Sequence, residues 1–330
     1  MDYYSRVLDD VVEKRLSSTG GIVIEGPKAC GKTTTARQFA QSEVLLDVDE
    51  NAREAVNVDP GLVLEGETPR LIDEWQTEPK IWNYIRRMID DRGEPGQFIL
   101  AGSAVPADDM TRHTGAGRLT RIQMRPMSLY EREVSTGEVS LQTLMNGGEV
   151  RCGDPGLSVD DLARHISIGG WPIHIGYAVD DALELLRGYI DEVSRVDISR
   201  VGDRDRNPDK VKSLLKSLAR NVTTTASSST LSNDIAEQDA SVHKDTALDY
   251  LDALSRLKII ENQPAWAPHL RSKIRLRKSP KRHFVDPSLA VASLGAAPER
   301  LLDDLNYMGL LFESLVIRDL RVYAQAMDGT

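Results

Sequence analysis

Cysteine is scarce: only Cys30 and Cys152 occur in 330 residues, and they stand far apart. No C-x-x-C pair exists, the six histidines show no metal-ligand spacing, and no Cys-His pair suggests a nucleophile. A disulfide scaffold and a zinc module are thereby excluded, and a reducing, cytoplasmic setting is expected. Long apolar runs are missing as well. No stretch approaches the roughly 18 apolar residues of a spanning helix, and the first 16 residues carry charges where a signal peptide needs an apolar core. A soluble protein without a membrane partner is expected. Positive charge is in deficit, with 41 Lys and Arg against 51 Asp and Glu, a net charge of -10. Bulk attraction to nucleic acid is therefore excluded, and only a local basic face could serve it.

What is present begins with Gly26-Pro27-Lys28-Ala29-Cys30-Gly31-Lys32-Thr33, followed by Thr34. The stretch matches G-x-x-x-x-G-K-[ST] in full and follows the apolar run Gly21-Ile22-Val23-Ile24, the context of a phosphate-binding loop. Glycines let the backbone wrap its N-H groups around a triphosphate, and the helix that follows adds its positive end. In such a loop Lys32 reaches the β- and γ-phosphates and Thr33 ligates Mg²⁺.

The length exceeds what one core usually serves, so two or three domains are expected. Tyr4, Val7, Leu8, Val11, Val12 and Leu16 recur at helical spacing and predict an opening amphipathic helix. Strands are predicted at the apolar run before the loop, at residues 44–48, 69–74 and 97–103, with helices at 32–41 and 81–89. Strands alternating with helices predict an α/β P-loop fold, a parallel sheet with helices on both faces. From about Pro126 the texture turns helical, including 182–193 and 208–221. The run Thr223 to Thr230 reads as a low-complexity loop. Short helix 231–238, longer helix 243–257 and an apolar strand at 258–260 then give the order of a winged helix-turn-helix. The expected division is 1–135, a P-loop ATPase domain; 136–205, a helical connection; 206–285, the winged-helix region; and 286–330, a further module.

Phosphoryl transfer needs a carboxylate to hold Mg²⁺ and a second to polarise the attacking water. Asp73 and Glu74, at the end of a predicted buried strand, supply both, with Asp73 toward the metal and Glu74 toward the water. Asp47 and Asp49 form a weaker acidic candidate, because acids at a strand-to-helix turn commonly cap helices. Ser103, ending the fourth strand, is placed to sense the γ-phosphate or the water, although a plain turn serine reads equally well. Arg118 follows the glycine-containing stretch His113 to Gly117, and a mobile arginine stabilises charge on a transferring phosphate. Between residues 271 and 282 lie seven basic residues and no acids, including Arg271, Lys273, Arg275, Arg277 and Lys278. At the wing position these would contact DNA phosphates, while the alternation Lys273 to Arg277 equally suits a half-buried strand with a wet face.

Taken in order, these stretches resemble the AAA-type ATP-binding proteins of bacteria and archaea that carry a C-terminal domain of unknown function. The resemblance rests on the phosphate loop, on Leu71-Ile72-Asp73-Glu74-Trp75-Gln76 and on Phe98-Ile99-Leu100-Ala101-Gly102-Ser103. It extends to Gly117-Arg118 followed by Arg125-Pro126-Met127-Ser128-Leu129-Tyr130-Glu131. Later come Gly169-Gly170-Trp171-Pro172, Ser279-Pro280-Lys281 with Phe284-Val285-Asp286, and Gly309 to Glu313, so the likeness spans nearly the whole chain. It implies ATP binding through Gly26 to Thr34, Thr33 and Asp73 as Mg²⁺ ligands, Glu74 as catalytic base, Ser103 as a sensor and Arg118 as a candidate arginine finger. ATP rather than GTP rests on the resemblance alone. The family usually continues into a nuclease-like fold whose start resembles the segment around Glu313. The sequence stops at Thr330, before the E-V-D and E-x-K type segments of that fold, so either a truncated chain or a degenerate module is expected, and the resemblance does not extend to nuclease activity. Ala101 stands where the family often has Thr.

The expected activity is Mg²⁺-dependent ATP hydrolysis coupled to a winged-helix region that binds double-stranded DNA or a protein partner. Two rivals stay open: a nucleotide-gated binding module with negligible turnover, and a DNA-binding regulator holding ATP as a structural ligand. An arginine supplied by a neighbouring subunit would require a homo-oligomer.

Overall fold

The computed structural model describes residues 3–103, 114–201, 206–236, 244–267 and 279–327. Two compact units emerge, one from Met1–Met127 with Arg321–Thr330, the other from Ser128–Leu320.

The first unit is built on a five-stranded parallel sheet. Its strands are β1 (Gly21–Glu25), β2 (Ser42–Leu45), β3 (Arg70–Asp73), β4 (Phe98–Gly102) and β5 (Leu119–Gln123), in the spatial order β2-β3-β4-β1-β5. Every residue of β1 and β4 is buried, as a parallel sheet covered on both faces requires. Alternation along β1 sorts the core into two layers. Ile22 and Ile24 join Leu8, Val12, Leu16 and Ala36 from α1 (Asp9–Leu16), its approach and α2 (Lys32–Arg37). Val23 faces the opposite layer, with Ala52 and Val56 of α3 (Glu50–Val58) and Ile81, Trp82, Ile85 and Ile89 of α4 (Ile81–Arg92). The α4 spacing of four residues aligns its large side chains on one stripe. Trp75 and Trp82 pack there with their rings tilted and centroids 5.1 Å apart.

Some local expectations are corrected. The crossover helix after the phosphate loop stops at Arg37, where the Gln38 and Phe39 N-H groups close on the carbonyls of Thr35 and Ala36, three residues back. The strand expected at 44–48 runs at Ser42–Leu45, because Val48 and Asp49 already turn back to donate to the Leu45 carbonyl. Asp49 caps α3 by accepting from the Ala52 N-H at 2.9 Å, the role that ranked this acid low as a metal ligand. Helix α3 and strand β5 are additions to the elements expected from sequence.

In the second unit, α5 (Val159–Ile168) starts with a reciprocal capping box between Ser158 and Asp161. It is followed by α6 (Val179–Glu192), α7 (Pro208–Arg220), α8 (Ser228–Ala236) and α9 (Lys244–Arg256). The run Thr223 to Thr230 is not all loop: α8 begins at Ser228, because the Ser227 hydroxyl accepts from the Thr230 N-H at 3.1 Å. The expected strand at 258–260 is displaced to β6 (Ile260–Gln263). Lys258 takes a left-handed φ of 59° and ends α9, with the Ile259 N-H closing on the Leu254 carbonyl at 2.9 Å. Strand β7 (Lys281–Phe284) pairs antiparallel with β6.

A helix buried along all six residues, Ser288–Ser293, packs against α5, α6 and α7. Beside it lies a buried ionic cluster. The Arg318 guanidinium meets Asp286 at 2.6 Å and Asp319 at 2.7 Å, and the Asp286 carboxylate also accepts from the Gly170 N-H at 2.8 Å. Burial pushes the Asp286 carboxyl up, but Arg318 and the hydrogen bonds outweigh it and hold the group below its ordinary value. Gly169 has φ 76°, and a Cβ there would lie 2.3 Å from the Ser288 hydroxyl and 2.7 Å from an Asp286 carboxylate oxygen. Gly169→Ala is therefore expected to destabilise the second unit by about 2 kcal/mol or more. Chemical denaturation with a probe near Trp171 checks this.

Candidate nucleotide-binding and hydrolytic site

Parallel strands deliver their carboxyl ends to one edge of the sheet, where α/β proteins bind ligands. The loop Gly26 to Gly31 leaves β1 at this edge and runs into α2. A Cβ on Gly26 would come within 2.3 Å of the Met124 carbonyl oxygen, so only glycine lets the loop pass that backbone. Gly31 adopts φ 100° as the cap of α2, and Ala29 has φ 62°. Pro27 and Cys30 are buried, while Lys28, Ala29 and Thr34 are exposed. Lys32 is 5% exposed, and its Nζ donates to the carbonyls of Gly26 at 3.1 Å and Pro27 at 2.8 Å.

The Thr33 hydroxyl donates to the Asp73 carboxylate, 2.9 Å from Oδ2 and 3.1 Å from Oδ1. Asp73 ends β3 and is buried, and burial pushes its carboxyl above the ordinary value, with the Thr33 hydrogen bond offsetting part of the shift. Glu74 follows in the left-handed region at φ 48°, a conformation that costs a non-glycine residue strain. Its Oε2 accepts from the Ser103 hydroxyl at 3.3 Å and also from the Gln76 side-chain amide. The structure thus brings Lys32, Thr33, Asp73, Glu74 and Ser103 to one edge of one sheet.

Gln76 was not singled out as a site residue, although it stands in the segment Leu71 to Gln76 that carries the resemblance. Its carbonyl oxygen is buried and has no hydrogen-bond partner among the described residues, and a Cβ on Gly102 would lie 2.3 Å from it. Gly102 is therefore the space that lets the Gln76 side chain reach Glu74.

Arg118 is not brought to this edge. It directly precedes β5, whose Leu119 is in register with Gly21 at the amino end of β1. A five-residue strand separates it from the phosphate loop by roughly 16 Å. There it pairs with Asp90 at 2.6 Å and donates to the Ala116 carbonyl at 3.3 Å. The Asp90 carboxylate raises the Arg118 value and is itself held low by the arginine. Within its own chain Arg118 therefore stands away from the phosphate loop. Arg271, Lys273, Arg275, Arg277 and Lys278 lie outside the described residues.

Among the described residues no group of three His, Cys, Asp or Glu side chains could hold a metal ion by itself. One hydroxyl beside one buried carboxylate suits Mg²⁺ instead, because this ion is held by one or two carboxylates together with substrate phosphates.

Two families match the chain: an AAA domain over residues 18–133 and a domain of unknown function (DUF8612) over residues 159–300. Similar curated proteins are the uncharacterized protein Rv2008c of Mycobacterium tuberculosis and Mb2031c of Mycobacterium bovis. Each is 24% identical over 303 residues, which is 91% of this chain and 62% of the relative. The chain therefore spans less than two thirds of the length of these relatives. Among solved structures, the Walker-type ATPase PabY2304 of Pyrococcus abyssi is similar at 13% identity with a TM-score of 0.55, over 88% of this chain and 96% of that one. This likeness is one of fold. Among the described residues no helix is long and apolar enough to cross a membrane.

The raised value of Asp73 sets a sign. A carboxyl favoured in its protonated form by folding contributes stability at low pH that is lost as pH rises through its folded value. At neutral pH the ionised Asp73 therefore costs folding free energy. Asp73→Asn is expected to raise the melting temperature of the nucleotide-free protein near neutral pH, and to do so less at acidic pH. Thermal unfolding of both proteins across that range checks it.

Proposed function

Since the chain is a P-loop AAA-type protein with a C-terminal domain of unknown function, we propose that it binds ATP with Mg²⁺ at Gly26 to Thr34 and hydrolyses it. The observation that carries the reading is the pairing of Thr33 with Asp73 at the mouth of a complete phosphate loop. Thr33 and Asp73 would hold Mg²⁺, which supplies charge neutralisation on the transferring phosphate. Lys32, already aimed along the loop, would exchange its carbonyl partners for phosphate oxygens. Glu74 would take the proton of the attacking water, with Gln76 and Ser103 fixing its carboxylate.

Lys32→Ala is expected to weaken ATP binding at least about tenfold, the loss of one charge-assisted contact or more. Unchanged affinity by titration calorimetry would sink the site. Glu74→Gln should keep binding and remove turnover, read as phosphate release.

A second reading, a nucleotide switch with negligible turnover until it assembles, is favoured by the place of Arg118. At the amino ends of the strands, that side chain would serve a phosphate loop only in a neighbouring copy. Specific activity that rises with protein concentration and falls in Arg118→Ala supports this, and flat activity across dilution removes it.

We also read α7, α8, α9 and the β6-β7 hairpin as a winged helix that binds double-stranded DNA. The order of elements and the basic residues between the two strands support this reading. Neutralising Arg275, Arg277 and Lys278 should abolish a salt-dependent shift of duplex DNA. If the wild type shows no shift, a protein partner takes the place of DNA.

A further inference from the structure

The phosphate loop is gripped by a segment outside the residues matched by the AAA family. Arg6 precedes α1 and is 7% exposed. Its Nη1 donates to the Cys30 carbonyl at 3.0 Å, and its Nη2 donates to the Arg125 carbonyl at 2.7 Å. One guanidinium thus joins the middle of the loop to the backbone beyond β5. The neighbouring residues hold the backbone at Arg6 in place. The Arg6 N-H donates to Asp9 Oδ2 at 2.8 Å, while the Tyr3 hydroxyl donates to Asp9 Oδ1 at 2.6 Å and reaches the Thr35 hydroxyl of α2 at 3.3 Å. Burial, and then the Asp9 hydrogen bond, push the Tyr3 phenol well above its ordinary value, so it stays a donor.

The grip falls where the loop needs it. Ala29 and Gly31, on either side of Cys30, both have positive φ. A backbone of this kind persists only where its surroundings over-determine it. The Cys30-Gly31 peptide is planar and trans, so its C=O and N-H point in opposite directions. A guanidinium that captures the Cys30 oxygen thereby turns the Gly31 N-H to the other side of the loop.

We propose that Arg6 is a positioning residue for the nucleotide, which it never touches: it presets the peptide planes of the phosphate loop. This rests on the reading of Gly26 to Thr34 as the ATP site. A planar, five-donor group can hold two carbonyls at fixed spacing, which a lysine ammonium does less well.

The test compares the Kd for Mg-ATP, and the melting temperature without nucleotide, in wild type, Arg6→Ala, Arg6→Lys and Lys32→Ala. In Arg6→Ala the affinity should fall at least about tenfold, with partial recovery in Arg6→Lys. Methylguanidinium added to Arg6→Ala should restore part of the affinity, a rescue that a merely structural arginine would not give. A folded Arg6→Ala whose Kd stays within about twofold of wild type overturns the proposal. If Arg6→Ala does not fold, Arg6→Lys decides, and equal affinity there overturns it. If the wild type does not bind Mg-ATP, the site reading falls and takes this one with it. A wild type that binds, beside an indifferent Arg6 variant, overturns this one alone.

Discussion

Strand β4 is the constraint on which the site depends. It pairs with β1 on one side and β3 on the other, and the two registers place Asp73 opposite Ala101 and Glu25 opposite Gly102. These two adjacent rows bring the start of the phosphate loop, the acidic pair and Ser103 to the same edge. A slip of one residue would turn Asp73 to the other face of the sheet and separate it from Thr33. The register is held by full burial of β4 between two apolar layers, so the packing of Phe98, Ile99 and Leu100 governs the polar chemistry one residue further on.

The parts of the site written in contiguous residues were legible in the sequence. The loop Gly26 to Thr33 and the pair Asp73-Glu74 each carry their chemistry in adjacent positions, and apolar runs place both at strand ends. The place of Arg118 was not legible, because adjacency to a glycine stretch says nothing about which end of a strand it precedes, and β5 was not anticipated. Its sequence, Leu119-Thr120-Arg121-Ile122-Gln123, buries only Ile122, which leaves little periodic signal. Arg6 was hidden for a different reason, because its side chain reaches backbone carbonyls distant in sequence, and Gln76 because nothing in its spacing marks it as a partner of Glu74 two residues before it. Local propensity also erred where serine had two uses. Ser227, in a run that reads as loop, caps a helix.

The second unit shows what several scattered motifs have in common. Gly169-Gly170-Trp171 and Phe284-Val285-Asp286 converge on one buried carboxylate, completed by Arg318 from a third stretch. Asp286 accepts from the Gly170 N-H and from Arg318, and the Trp171 indole donates to the neighbouring Ser288 hydroxyl at 3.1 Å. An ion pair this buried contributes little net stability, but losing one partner would strand the other charge in the interior. Residues far apart in the chain are therefore tied to one another by a shared penalty.

Glu74 carries an implication of a different kind. Its left-handed backbone costs on the order of 1 kcal/mol in any residue but glycine, so the position trades stability for a carboxylate. A glycine there would relax the turn after β3 and remove the carboxylate that accepts from Ser103 and Gln76. Stability alone would thus favour a residue without that carboxylate, and the backbone strain is the cost of placing it at this turn.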